Sequence, residues 1–276
     1  MTTFRLKPGF LLFPGATGAW CLHGPEDRLI RLREEPSRVC RLARHLGSQQ
    51  AGPLPEDLLG LASAFESYGL LETLSSQSSS RLAARSVAVE GDGPAAAKVW
   101  ELLAEAGAGS VTRLAEGFRP AADVDLLIVC AGWLPDSRWR VLDSWCAERS
   151  TAWHRLWQEG LTIHLGPLTV PGATASYADV RARRLAAADF PGELEALWRS
   201  LDEESGVPPP PPLSPAAAAM AAGALVADAV AFLEDRPAPS HGFALEIDLL
   251  TLAVRRRPVL PVPRNPLTEP LAESAG

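Results

Sequence analysis

Lysine is nearly missing from this chain of 276 residues. Of its 26 basic residues only Lys7 and Lys98 are lysines, and the net charge is -7. Nucleic acid and anionic membrane surfaces are met by clustered cations, so this balance excludes a lysine-rich footprint for either. The arginines do cluster, at Arg28/Arg31/Arg33 and at Arg255/Arg256/Arg257, and both groups read as solvated edges of strands or helices. Cysteine is scarce. Cys21, Cys40, Cys130 and Cys146 lie far apart with no C-x-x-C pair, which excludes a zinc site of that spacing and a disulfide framework and leaves buried free thiols. No uninterrupted apolar run reaches membrane-spanning length, and "MTTFRLKPGF" lacks a basic stretch followed by a long apolar one. A soluble, cytoplasmic protein with no membrane partner is therefore expected. The five histidines, His23, His45, His154, His164 and His241, are scattered; they form no metal-ligand spacing, and no Ser/His/Asp order or cysteine nucleophile with a base stands out.

What is present is ordinary globular content, 47% hydrophobic, enough for one large or two modest domains. "FLLF" (residues 10–13), "AWCL" (19–22) and "RLIRL" (28–32) have strand length and are separated by turns at Pro14-Gly15 and His23-Gly24-Pro25. Two helical patterns follow, "SRVCRLARHLG" and "LPEDLLGLASAFESYGLLE", with a stop near Gly69. Three strands packed on helices predict a winged helix over residues 1–74. A DNA-binding winged helix needs a basic recognition helix, and Glu56, Asp57 and Glu66 make this one acidic, which excludes nucleic acid.

The serine-rich stretch at 75–85 reads as a linker, and residues 86–276 as a second, α/β domain. In it "SVAVE", a glycine turn, a helix and "GSVTRL" are followed by "DLLIVC", whose unbroken apolar run indicates a strand of a parallel sheet buried on both faces. "VPPPPPLSP" (207–215) is an extended spacer before the helix "PAAAAMAAGALVADAVAFLED", and "FALEIDLL" with "TLAVRRRPVL" form a closing hairpin.

Gly91, Gly93 and Ala96 stand in G-x-G-x-x-A register between strand and helix, the arrangement that brings backbone close to phosphates. The acid that holds a ribose belongs at the end of the next strand, where the chain continues "AEGFRP" and supplies no recognised partner. Asp92 inside the turn and Glu90 before it would repel a pyrophosphate. The turn reads as a vestige without nucleotide.

Together with the order of domains, the "GDGPAAAKVWELLAEAGAGSV" turn, the G-P-L-x-V-P-G run at 166–172 and the R-R-P-V-L-P-x-P run at 256–263 give the chain a resemblance to the ThiF-like partner proteins of azoline-forming cyclodehydratases, over essentially its whole length. The resemblance implies an N-terminal winged-helix domain that recognises the leader of a ribosomal precursor peptide. It also implies a ThiF/ubiquitin-activating-type, Rossmann-like domain that does not itself adenylate. A YcaO-type protein consumes the ATP and forms thiazoline or oxazoline rings, as in thiopeptide-like antibiotic biosynthesis. Relatives carry two C-x-x-C pairs where this chain has Ser176 to Asp179 and Asn265 to Thr268, so the zinc site is degenerate and neither zinc nor another cofactor is expected.

In that family the leader adds as a strand to the edge of the third strand and fills a gap against the last helix of the domain. Here that implies Arg28, Leu29, Ile30, Arg31, Leu32 and Arg33, facing Leu58, Leu61, Phe65 and Tyr68, with Arg31 and Arg33 meeting acidic leader residues. No residue is assigned a catalytic role. Pairing of two copies through the ThiF-like domain is implied by resemblance alone. Two other readings stay open: an ATP-dependent ThiF-type adenylating enzyme, and a scaffold for another tailoring enzyme such as a dehydratase.

Overall fold

The computed structural model describes residues 3–47, 54–74, 78–202, 211 and 213–263. Contacts divide the chain into two units, Met1–Ser80 and Arg81–Gly276. In chain order the first unit runs β1 (Thr3–Leu6), β2 (Leu11–Pro14), β3 (Trp20–Gly24), β4 (Arg28–Arg31), α1 (Pro36–Gly47), α2 (Glu56–Ser67) and β5 (Leu71–Leu74). The three strands expected from sequence form an antiparallel sheet in the order β2-β3-β4, with Leu12 and Ile30 both opposite Leu22 in register. Leu12 and Leu22 join Val39 and Leu42 of α1 and Leu58, Leu61 and Phe65 of α2 in one core. Sequence reading missed β1 and β5, which pair antiparallel from Thr3↔Leu74 to Leu6↔Leu71. Pairing the two ends of the unit fixes where it stops: α2 ends at Tyr68, Gly69 takes a positive φ of 69°, and the chain turns straight into β5.

The second unit opens within α3 (Ser78–Ala83), at Arg81, so most of the stretch expected to be linker is structured. Leu82 is buried in this unit's core, and Arg85 donates to the Asp125 carboxylate at 3.0 Å and the Leu233 carbonyl at 3.1 Å. There follow β6 (Ser86–Glu90), α4 (Pro94–Glu105), β7 (Ser110–Leu114), β8 (Leu126–Cys130), α5 (Asp136–Arg149), β9 (Ala152–Glu159), β10 (Thr162–Leu165), α6 (Tyr177–Ala187), α7 (Pro191–Asp202), α8 (Pro215–Leu233), β11 (Phe243–Asp248) and β12 (Val254–Pro258). The polyproline spacer before α8 lies largely outside the described residues.

Seven strands make one mixed sheet in the order β12-β11-β10-β9-β8-β6-β7. The β7-β6-β8-β9 half is parallel and the β9-β10-β11-β12 half antiparallel, an α/β sheet of Rossmann type. The strand β8 is buried at every position, as its unbroken apolar run predicts. Residues of α4 and α8 cover one face. On the other face α5, α6 and α7 enclose Trp139, Trp153, Trp157 and Tyr177, whose rings meet edge to face with centroids 5.3 to 6.4 Å apart. Among the described helices α8 alone is long and apolar enough to cross a bilayer, with Asp228 interrupting its apolar run. It is instead packed on α4 and the sheet, and its one charge, Asp228, is buried and hydrogen-bonded there.

Candidate functional site

In the first unit, a 3-10 turn at Pro25–Asp27 holds Glu26 and Asp27 at positive φ and delivers the chain into β4. This strand pairs with β3 only, so among the described strands its outer edge keeps unpaired backbone donors and acceptors. All four of its residues are exposed, Leu29 at 68% and Ile30 at 43%. Ile30 lies opposite buried Leu22, and Leu29 opposite His23, so the two apolar side chains point to opposite faces. Leu32 is half-buried and donates its N–H to the Trp20 carbonyl at 2.9 Å; Arg33 is exposed, and Arg31 donates to the Thr17 hydroxyl.

The residues expected to face this edge separate. Leu58, Leu61 and Phe65 are core side chains of 1%, 4% and 4% exposure, so they do not line an open groove. Tyr68, just after α2, is 80% exposed, and Leu59 is the α2 leucine that reaches solvent. Leu58, Leu61 and Phe65 stand at i, i+3 and i+7, the spacing that marks the core face of a helix, and Leu59 falls off that face.

In the second unit, Gly91 has φ 133°, and a Cβ there would lie 2.4 Å from the Cys130 carbonyl oxygen, so only glycine fits where the chain leaves β6 beside the end of β8. Gly93 caps α4, Pro94 takes its first turn and Ala96 is buried. Asp92, Gly93, Ala96, Glu116, Cys130 and Trp133 border a cavity of about 280 Å³. Glu116 corrects the sequence reading: an acid does follow the second strand, two residues past β7, and the turn at Gly117 brings it to this cavity. Its carboxylate is held by Arg138. Glu90 is fully buried beside it, accepts from Gly117 N–H at 2.9 Å and lies 3.7 Å from Arg119 and 3.8 Å from Arg138. Burial pushes its carboxyl above the ordinary range, against the pull of Gly117 and the two arginines. Two carboxylates border the cavity, no lysine or arginine among the described residues does, and Pro94 removes an amide donor, so the lining does not suit a triphosphate. Burial also drives the Cys130 and Cys146 thiols up to about 12, which leaves neither as a thiolate.

At the degenerate metal positions, Ser176 and Asp179 form a capping box on α6. The Ser176 hydroxyl accepts from Asp179 N–H at 3.1 Å, and the Asp179 carboxylate accepts from Ser176 N–H at 2.8 Å. The other Asp179 oxygen accepts from Val262 N–H at 2.9 Å, and Arg183 donates to the carbonyls of Leu260 at 2.6 Å and Pro261 at 3.1 Å. A segment after β12 is thus strapped along α6 by hydrogen bonds. The strap, with Asp143, Thr169 and Thr174, borders a cavity of about 560 Å³. Among the described residues no group of three or more His, Cys, Asp or Glu side chains is placed to hold a metal; Asn265 and Thr268 lie outside them.

The fold assembles one cluster that sequence reading missed. His154 Nε2 lies 2.8 Å from Asp228 and 3.1 Å from the Ser240 hydroxyl, Ser240 donates to the same carboxylate, and all three are buried. His154 Nδ1 accepts from Arg155 N–H at 2.9 Å, which puts the ring proton on Nε2, toward Asp228. Serine and histidine therefore both bond to the aspartate, and histidine does not bridge the other two as in a catalytic relay. Gly166, at φ 69°, makes the close approach possible, since a Cβ there would lie 3.1 Å from Ser240 and 3.2 Å from the His154 ring. The cluster locks α8 and the loop before β11 to β9.

No protein-family model and no curated protein matches the chain. Its fold is that of several solved structures. The heterocyclase TruD superposes with a TM-score of 0.70 at 18% identity, covering 96% of this chain and 42% of its own. A heterocyclase solved in complex with substrate and cofactor gives 0.68 at 15%, covering 95% and 39%. MccB of E. coli, solved with ATP, gives 0.63 at 13%, covering 95% and 98%. The chain thus spans less than half the length of these heterocyclases and nearly all of MccB.

Proposed function

We propose that the protein is a non-catalytic scaffold that binds the leader of a ribosomal precursor peptide and presents it to a YcaO-type, ATP-dependent cyclodehydratase forming thiazoline or oxazoline rings. The first unit serves as a winged-helix recognition element, residues 86–276 as a ThiF-like domain without zinc or nucleotide of its own, and ATP is consumed by the partner. The observation that carries this reading is the open edge of β4, which offers backbone pairing groups, Leu29 and Ile30 on opposite faces, and arginines at 28, 31 and 33. An extended peptide gains affinity there from main-chain hydrogen bonds and specificity from alternate side chains. The match in fold to heterocyclases much longer than this chain supports a protein that supplies one part of such a machine.

The adenylating reading draws on the match to MccB over the full length of both chains. The acidic lining of the cavity at the glycine turn favours the scaffold.

The test is reconstitution of the full chain with a candidate precursor peptide and a YcaO-type protein, following loss of water from the peptide by mass spectrometry. Ring formation that requires this chain and falls when Leu29→Pro removes an outward-facing backbone donor from β4 supports the scaffold. Peptide-dependent exchange of pyrophosphate into ATP by this chain alone replaces it with the adenylating enzyme, and dehydration without ring closure points to another tailoring partner.

A further inference from the structure

The strand β12 ends the seven-stranded sheet, and among the described strands it pairs on one side only, antiparallel to β11. Val254, Arg255, Arg256, Arg257 and Pro258 are all exposed, and the apolar side chains beside them are bare as well, Leu250 at 75% and Leu260 at 66%. Two of the arginines are set in place from the protein side. Arg256 lies over the Phe243 ring and donates to the Pro239 carbonyl at 2.8 Å, while Arg257 donates to Glu246 at 2.6 Å. Both remain exposed with further N–H donors to offer, and among the described residues the Arg255 side chain makes no hydrogen bond.

We propose that β12 is a docking edge for an acidic, extended segment of a partner protein, which joins the sheet as an eighth strand and sets carboxylates against Arg255 and Arg257. The charge pattern decides between occupants. A second copy pairing edge to edge would place arginine opposite arginine across the junction, and like charges directly opposite in a ladder destabilise it. A strand of alternating acidic and apolar residues meets the opposite situation: main-chain bonds from the free edge, carboxylates toward Arg255 and Arg257 on one face, and apolar contact with Val254 on the other. In a chain of net charge -7, three consecutive arginines on a free edge draw such a strand in and turn the protein's own copies away. The site is independent of β4 and of the leader-binding proposal.

The experiment uses the full chain and an eight-residue peptide of alternating glutamate and valine, labelled for fluorescence anisotropy. Its lysine-valine counterpart and the acidic peptide N-methylated at alternate residues serve as controls. N-methylation keeps the charges and removes the pairing amides of one edge, and each lost backbone bond weakens binding severalfold, so about tenfold or more is expected overall. The expected result is binding of the acidic peptide only, weakened about tenfold by Arg255→Glu, with slowed hydrogen exchange confined to the β12 amides. Because Arg257 also holds Glu246, Arg255→Glu is the primary variant and Arg257→Glu the second. Equal binding by the N-methylated peptide, protection on β4 or β7 instead of β12, or no binding at millimolar peptide overturns the proposal.

Discussion

One oxygen of Asp179 accepts the Val262 N–H at 2.9 Å, tying the first turn of α6 to the strap that follows β12. The same carboxylate closes the capping box with Ser176, so a single side chain both starts the helix and fastens the strap. Asp179→Ala removes both. Loss of an N-terminal capping interaction costs about 1 kcal/mol, and a lowered melting temperature is the first expected outcome. The second is faster hydrogen exchange at Val262 together with tryptic cleavage after Arg255 or Arg256. Because hydrogen bonds hold the strap, a chelator should leave the melting temperature of the unaltered chain where it was. A drop on adding chelator would show that a metal is bound after all.

The β4 edge and the α2 core respond differently to substitution. Ile30→Glu changes a side chain already 43% exposed, so stability should hardly move while peptide binding falls. Leu61→Ala empties a core position and should cost about 2–5 kcal/mol by urea unfolding, with the peptide affinity of the surviving folded fraction unchanged. The reverse pattern, binding lost with Leu61 and kept with Ile30, would place the peptide among the α2 side chains and away from the edge.

Mg-ATP should not raise the melting temperature. A ligand stabilises the state that binds it in proportion to the logarithm of its concentration over Kd. With Asp92 and Glu116 bordering the cavity at the glycine turn, binding should be too weak to register. Replacing both acids, Asp92→Asn with Glu116→Gln, tests that cause directly: a stabilisation by ATP that appears only in the double variant would identify the carboxylates as the barrier.

Much of this architecture was legible because it is written in local pattern. The three strands around Pro14-Gly15 and His23-Gly24-Pro25, the buried run of β8 and the β11-β12 hairpin are each marked by a few residues in sequence. What stayed hidden depends on partners distant in sequence. Leu71–Leu74 is strand because it pairs with Thr3–Leu6, nearly seventy residues earlier. The strand "AWHRLWQE" was passed over because it carries histidine and arginine in positions that turn out to be buried. Those polar groups are tolerable only with Asp228, Thr169 and the faces of Trp153 and Tyr177 around them, and all of these but Trp153 are distant in sequence. The same holds for Glu116, whose place at the cavity depends on the fold of the loop after β7. At the candidate peptide edge, sequence located the strand and misjudged which helix residues remain accessible.

Stability should fall with acid in two stages, the first traceable to His164 and the second to carboxylates held below the usual range, Asp228 among them. His164 stacks on Trp157 at 4.8 Å and lies 3.7 Å from Glu159; burial is the largest influence and lowers its pKa from the ordinary 6.5, with Glu159 opposing. The folded state therefore disfavours the imidazolium. Above 6.5 both states hold neutral histidine and nothing is lost; as pH falls through 6.5 the unfolded chain takes up the proton first, and stability declines until the folded pKa is passed. Asp228 acts lower on the scale. Burial alone would raise its pKa, but hydrogen bonds from His154 and from the hydroxyl and N–H of Ser240 outweigh it and bring it below 3.8. Its contribution is complete above 3.8 and disappears as pH drops through the depressed folded value. Buried Glu90, with its pKa raised, works in the opposite sense and favours the folded state as pH falls toward its ordinary 4.5. Urea midpoints measured from about pH 8 to about pH 3 should show the first decline vanish in His164→Phe and the second persist there. A first decline that survives in His164→Phe would assign it to another group.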